Sequence, residues 1–220
     1  MSDLKKIVLI GAGGFGREVA AIIEYLNQVR PRYELLGFVD DGAQFKRGDF
    51  INGYPWLGTL DWAKSNSDNN VLYTCTVGNV HTRAKIQEEL TAMGKQFETI
   101  VAYDAFVSPH TTVGRGCVLY PGVLISVNCE IGDGVLLNTR TNIGHDVRIG
   151  SFTTISPNTS ISGSCTIGSQ VNIGGHSFVI PGRKIADNAI VAAGSVVFTN
   201  VREGTTVLGN PAKRMKGLEA

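Results

Sequence analysis

Every sixth residue from Val107 to Val197 is aliphatic: Val113, Leu119, Ile125, Ile131, Leu137, Ile143, Ile149, Ile155, Ile161, Ile167, Ile173, Val179, Ile185 and Val191 lie between. Fifteen consecutive steps hold phase without an insertion. A fixed short period denotes a solenoid of stacked units. The position four after each aliphatic is mostly small (Cys117, Cys129, Thr141, Thr153, Thr159, Cys165, Ser177, Ala189, Ser195) or Val (Val123, Val135, Val147, Val171). Two residues per hexapeptide therefore point inward, and the second must be compact. Gly often follows the aliphatic, as at Gly114, Gly132, Gly144, Gly150, Gly168 and Gly174. A corner there is expected to need backbone angles that a residue without Cβ reaches cheaply. The pattern predicts a parallel β-helix with three hexapeptides per coil, so that residues eighteen apart stack at a strand spacing of about 4.8 Å.

This register occupies only the C-terminal part of the 220 residues, so the chain is expected to hold two domains, 1–98 and 99–220, the second ending in a C-terminal tail. In the first, Lys6–Ile10 reads as a buried strand. It leads into Gly11-Ala-Gly-Gly-Phe-Gly16 and a helix over 17–27 with Val19, Ala20, Ile22, Ile23 and Leu26 at helical spacing. Strand, Gly-rich turn and helix is the context in which backbone N–H groups cradle phosphate; a tight turn without a ligand is the alternative. A second strand over 34–39 closes on Asp40-Asp41, where an acidic residue commonly accepts from ribose or base. A third strand over 71–77 runs into Gly78 and a helix over 82–93 stopped by Gly94. This is a truncated Rossmann-like α/β domain, too small for a two-halved dinucleotide fold. A mononucleotide or nucleotide sugar suits it better.

A net charge of +1 gives no electrostatic footprint for nucleic acid or a membrane surface. The longest apolar run, Ala189–Phe198, is too short to span a bilayer, and a cytoplasmic protein is expected. Cys117, Cys129 and Cys165 occupy the small inward place of the repeat, spaced as packing thiols rather than metal pairs, and Cys75 lies within an apolar strand.

The register also places chemistry. His145 and Asp146 take the third and fourth places of the hexapeptide that begins at Ile143, on a corner, so both project outward, with Gly163 one coil above His145 and Val127 one coil below. A base beside a Gly with an accessible N–H is how proton transfer and oxyanion binding are combined; a solvated surface histidine is the alternative. His176 lies on a different edge and cannot join His145 within one subunit. The residue five on from His145 is Gly150, which does not suit a shared zinc site, and no metal is expected.

The whole chain resembles the hexapeptide-repeat acyltransferases of bacterial sugar metabolism, in the subgroup that acetylates nucleotide-activated amino sugars or sialic acids. The resemblance rests on Gly11–Gly16, Gly37-Phe-Val-Asp-Asp41, Val77-Gly-Asn79 followed by Arg83, Leu137-Asn-Thr139, Ile143-Gly-His-Asp146 and Gly209-Asn-Pro-Ala-Lys213. It implies an all-β left-handed parallel β-helix, a homotrimer with active sites between neighbouring solenoids, and acetyl-CoA as co-substrate. By position it implies His145 as general base, Asp146 as its carboxylate partner and Asn138 as a residue shaping the site. Gly163 would offer its amide to the acetyl carbonyl, and Thr154, Gly175 and Ala193 would line the coenzyme A groove. Gly13, Gly14, Phe15, Asp40, Asp41 and Gly78 would hold the nucleotide sugar. Phe15 and Thr154 stand where members often carry His. The expected reaction is acetyl transfer to the amino group of a nucleotide-linked amino sugar. O-acetylation of a sialic acid or another sugar, and a non-catalytic trimeric nucleotide-binding scaffold, are the alternatives.

Overall fold

The computed structural model describes residues 4–42 and 44–215. The chain divides into two compact units, Met1–Tyr103 and Asp104–Ala220. Among the described residues no helix is long and apolar enough to cross a membrane.

The first unit is an α/β layer. Its elements are β1 (Lys5–Ile10), α1 (Gly14–Val29), β2 (Tyr33–Val39), β3 (Phe50–Ile51), β4 (Tyr54–Gly58), α2 (Leu60–Ser65), β5 (Leu72–Cys75), α3 (Val80–Ala92) and β6 (Gln96–Phe97). The sheet order is β3-β4-β2-β1-β5-β6, parallel except for β3 against β4. Both long helices begin earlier than the apolar spacing indicates, because Gly13 and Asn79 are their N-caps. Asn79 caps with its side chain, accepting from Thr82 N–H at 2.9 Å. Val8, Ile10, Val39, Tyr73, Cys75 and Leu90 form the core between sheet and helices. The chain steps from β1 to β2 on one side and later to β5 on the other, so β1 borders the switch point at which such sheets bind ligands.

Two of the three turn glycines, Gly11 and Gly16, have separate physical reasons. Gly11 has φ +109°, and a Cβ on Gly16 would sit 2.0 Å from the Gly11 carbonyl oxygen, so only glycine lets α1 approach β1 this closely. Gly13 has open space around it. Buried Thr76 fixes the turn from beneath, its hydroxyl donating to the carbonyls of Ile10 and Gly11 at 3.0 and 2.8 Å.

The second unit is the β-helix. Two-residue strands pair in parallel with the strand eighteen residues on, as in Asn142↔Ser160 and Ile143↔Ile161, and three sheets run along it. They are named here by one inward residue each: the Leu137, Ile143 and Ile149 sheets. The aliphatic of every repeat is buried except Val107 and Val113 in the first coil, which are half-buried. Each buried one contributes roughly 1.5–3 kcal/mol. Past the last coil, Thr206–Leu208 pairs antiparallel with Lys213–Arg214, so Gly209-Asn-Pro-Ala-Lys213 forms the closing turn.

The structure corrects the role of the glycines that follow the aliphatics. None of Gly114, Gly132, Gly144, Gly150, Gly168 or Gly174 has positive φ. They are glycine because the next coil leaves no room: a Cβ would lie 2.7 Å from Asp133 N at Gly114, 2.5 Å from Ser169 N at Gly150 and 2.4 Å from Ala193 N at Gly174. The left-handed residue is instead the fourth place, including Gly116, Asn128, Asp146, Asn158, Gly182 and Gly194. That conformation aims its N–H at the coil below, as in Asp146 N–H to Val127 O at 3.0 Å. Non-glycine residues adopt it at a cost of roughly 1–2 kcal/mol.

The compact inward place also does more than pack. Cys117, Cys129, Thr153, Thr159, Cys165 and Ser177 donate to the carbonyls of Gly132, Gly144, Gly168, Gly174, Ile180 and Ala192, over 2.7 to 3.3 Å. Each stitches one coil to the corner of the next, which explains why small residues with a weak or strong donor recur there.

Candidate active site

The corner after the Ile143 sheet carries His145 and Asp146 in one coil and Gly163 in the next. His145 Nδ1 lies 2.7 Å from Asp146 Oδ2, and Asn128 Nδ2 donates to Asp146 Oδ1 at 3.2 Å. The hydrogen bond from His145, and then that from Asn128, hold the Asp146 carboxyl below the usual carboxylate range. An ionised Asp146 accepts the Nδ1 proton, which leaves the lone pair on Nε2. Both side chains remain open to solvent, 61% and 50% exposed.

The imidazole lies against Gly163. A Cβ there would sit 2.6 Å from both Cε1 and Nε2 and 3.0 Å from Nδ1. After the Ile149 sheet, two corner amides at the equivalent place find a side chain in the coil above: Arg115 N–H donates to Asp133 Oδ1 at 2.7 Å, and Ser169 N–H to Asp187 Oδ1 at 2.9 Å. Above Gly163 stands Pro181, which offers no acceptor side chain. Among the described residues the Gly163 N–H meets no acceptor. A proton acceptor and an unpaired amide donor thus share one corner. All four thiols are buried, and burial pushes Cys75 up to about 11 and raises Cys165 as well.

The remaining expected residues of the solenoid lie elsewhere on it. Asn138, Gly175 and Ala193 follow the Leu137 sheet, on the opposite edge of the Ile143 sheet from His145. Asn138 turns its side-chain oxygen onto Thr139 N–H at 2.7 Å. Gly175 is held to a glycine by the Pro157 carbonyl, 3.0 Å from where a Cβ would stand. Thr154 is half-buried on the outer surface of the Leu137 sheet. Within one chain, the His145 group and the Gly175 group occupy different edges.

In the first unit, Asp40 and Asp41 line a cleft of about 210 Å³ at the carboxyl ends of β1 and β2, with Ile10, Gly11, Leu60, Val77, Thr82 and Ile86 among its walls. Asp40 is already engaged, accepting from Ala12 N–H and Gly42 N–H at 2.7 Å each. Asp41 accepts from Leu60 N–H at 2.6 Å and so caps α2. Gly13 and Gly78, in the turns after β1 and β5, are exposed, and at the start of α1 Gly14 is exposed and Phe15 half-buried; none of the four lines the cleft. Arg83, 1% exposed, donates to the Val77 and Gly78 carbonyls at 2.8 and 3.2 Å and fixes that loop. Sequence reasoning missed Leu60, Thr82 and Ile86 as cleft walls. For Leu60 a signal existed: Asn52-Gly53 between Ile51 and Tyr54 marks the β3–β4 hairpin, which carries the chain to α2.

Comparison with known proteins is consistent with both units. The family described as the PglD N-terminal domain matches residues 6–90. GDP-perosamine N-acetyltransferase of Escherichia coli O157:H7 is 31% identical over 119 residues, 54% of this chain and 52% of that protein, so the matched stretch spans about half the length of this curated relative. The acetyltransferase domain of PglB from Neisseria gonorrhoeae FA1090, solved with acetyl coenzyme A, is similar at TM-score 0.87 and 30% identity, over 97% of this chain and 100% of that one. A histidine-to-asparagine variant of perosamine N-acetyltransferase from Caulobacter crescentus, solved with CoA and GDP-perosamine, is similar at TM-score 0.85 and 26% identity, over 97% and 98%. With the fold matched across nearly its full length and the N-terminal unit matched in sequence, the chain belongs to the PglD-like family of hexapeptide-repeat sugar acyltransferases.

Proposed function

We propose that the protein transfers acetyl from acetyl-CoA to the amino group of a nucleotide-linked amino sugar by direct attack. The observation that carries this is the corner where His145, tethered through Nδ1 to Asp146, presents Nε2 beside the unpaired amide of Gly163. The thioester is already activated, so no acyl-enzyme is needed. The acceptor nitrogen attacks the carbonyl carbon and its proton passes to Nε2. Negative charge gathering on the carbonyl oxygen is met by the Gly163 N–H. The C–S bond then breaks, and the thiolate of coenzyme A leaves, to be protonated by His145 or solvent. Thr154, Gly175 and Ala193 are assigned to the coenzyme A groove, and Asn138 to shaping the acceptor side. The cleft at Asp40 and Asp41 takes the nucleotide, with Gly13, Gly14, Phe15 and Gly78 along its approach. Relatives solved with acetyl coenzyme A, and with CoA and GDP-perosamine, support the choice of the two substrates. Such a reaction belongs in the cytoplasm, where coenzyme A thioesters are made.

The direct test is thiol release from acetyl-CoA with GDP- and UDP-linked 4-amino and 3-amino sugars, the product identified as an amide by mass spectrometry. Transfer only to free sugars, with no heat of binding for GDP or UDP, would replace this reading by O-acetylation. No release with any acceptor would leave a nucleotide-binding scaffold.

The separation of His145 from Gly175 and Ala193 on one chain supports a homotrimer in which two edges from neighbouring copies complete each site. The outer row of the Ile143 sheet carries Phe106, Leu124 and Phe178, 57%, 42% and 43% exposed, whereas the Ile149 sheet shows Glu130, Arg148 and Lys184. The apolar face is assigned to the contact between copies and the charged face to solvent. Phe178→Asp should lower the mass in light scattering from three copies to one and reduce transfer by roughly tenfold or more. A trimer of full activity would refute the assignment.

A further inference from the structure

We infer that Asn128 is a positioning residue of the acetyl-transfer site, holding the Asp146 carboxylate in the rotation that points one oxygen at His145. The inference rests on the function proposed above, in which His145 is the base.

Asn128 and Asp146 occupy the same corner place in successive coils, and their parallel strands pair at Leu124↔Asn142 and Ile125↔Ile143. Both are left-handed, each with φ +58°, so their side chains leave the corner in the same direction. At the stacking distance of about 4.8 Å, the lower side chain reaches the upper one. A carboxylate only accepts, so the Asn128 amide nitrogen must be what faces it, and it donates to Asp146 Oδ1 at 3.2 Å. The other oxygen, Oδ2, meets His145 Nδ1 at 2.7 Å. Each carboxylate oxygen thus has one assigned donor, and the plane of the group is set from both ends.

This matters because packing does not set it. The His145 and Asp146 side chains are 61% and 50% exposed, so little besides these hydrogen bonds stops the carboxylate from turning. A carboxylate free to rotate holds Nδ1 only part of the time and lets the imidazole swing off Gly163. Asn128 therefore acts through Asp146 and touches no substrate.

Backbone preference is a competing reason for an asparagine here, since Asn tolerates left-handed φ and also fills this place at Asn158 and Asn188. The two reasons separate by substitution. Glycine is native at this corner place at Gly116, Gly122, Gly134, Gly182 and Gly194, so Asn128→Gly keeps the backbone and removes only the donor. Asn128→Asp keeps the shape and the tolerance of the turn but opposes a second carboxylate to Asp146.

The experiment measures steady-state thiol release for wild type, Asn128→Gly, Asn128→Asp, Asp146→Ala, Asn128→Gly/Asp146→Ala and His145→Ala, with melting temperatures for each. A hydrogen bond to a charged group is worth about a factor of ten. Asn128→Gly is expected to lower kcat by about tenfold, with KM for both substrates within twofold and an unchanged melting temperature, and Asn128→Asp to lower kcat further. In the Asp146→Ala background, Asn128→Gly should cost nothing more, because its only route to the reaction is gone. Wild-type kcat in both Asn128 single variants, or an additive loss in the double variant, overturns the inference while His145→Ala keeps its loss of roughly 10²-fold or more. Full activity in His145→Ala instead removes the functional reading on which it stands.

Discussion

His145→Ala is expected to lower kcat by roughly 10²–10⁴, the range for loss of a positioned general base, while coenzyme A binds with Kd within twofold of wild type. The split follows from where the imidazole sits. It stands on a corner with its Nδ1 edge given to Asp146, and it supplies no inward packing, so its removal should leave the coils intact. What is lost is the acceptor for the amine proton as the C–N bond forms. Oxyanion stabilisation by the Gly163 amide and the binding of both substrates persist and sustain the residual rate. Initial rates of thiol release, with calorimetry of coenzyme A on the same preparations, check both halves. Activity within threefold of wild type would show that the proton goes elsewhere.

The solenoid and its candidate corner are legible in the sequence because a period of six is a coordinate system: it stacks Gly163 over His145 and sets His176 on another edge. Local backbone geometry was less legible. Gly114 and Asp146 both mark corners, but one is excluded from having a Cβ by the coil above and the other bends into the left-handed region. Periodicity cannot distinguish crowding from torsion, since both select for particular residues at a fixed place. Asn128 escaped notice for the related reason that its contact is vertical. It lies eighteen residues before Asp146, in the column next to the one through His145. In the α/β unit, the strands and the phosphate-type turn follow from apolar runs and glycine spacing. The cleft does not, because Thr82 and Ile86 enter it through the angle at which α3 leaves its Asn79 cap, and Leu60 through a hairpin excursion. Nor does a sequence show that Asp40 and Asp41 already accept from backbone amides.

Gly163→Ala is expected to reduce kcat by at least roughly 10² although a single methyl group is added at a residue with no side-chain chemistry. The φ of Gly163 is not in the left-handed region, so alanine fits the backbone. The added carbon has nowhere to go, since it would stand 2.6 Å from His145 Cε1 and Nε2. A conflict with the far end of a side chain is relieved by moving that side chain, and the exposed imidazole can swing outward at little cost in stability. The Nδ1 contact with Asp146 then breaks, and Nε2 leaves the neighbourhood of the amide that receives the carbonyl. The methyl also narrows the approach to that amide, so both contributions to the transition state weaken together. The variant should therefore match His145→Ala in rate and wild type in melting temperature, and combining the two substitutions should cost less than the product of the separate losses. Wild-type kinetics in Gly163→Ala would mean that the imidazole does not work from its position against Gly163, and would move the reacting centre off this corner.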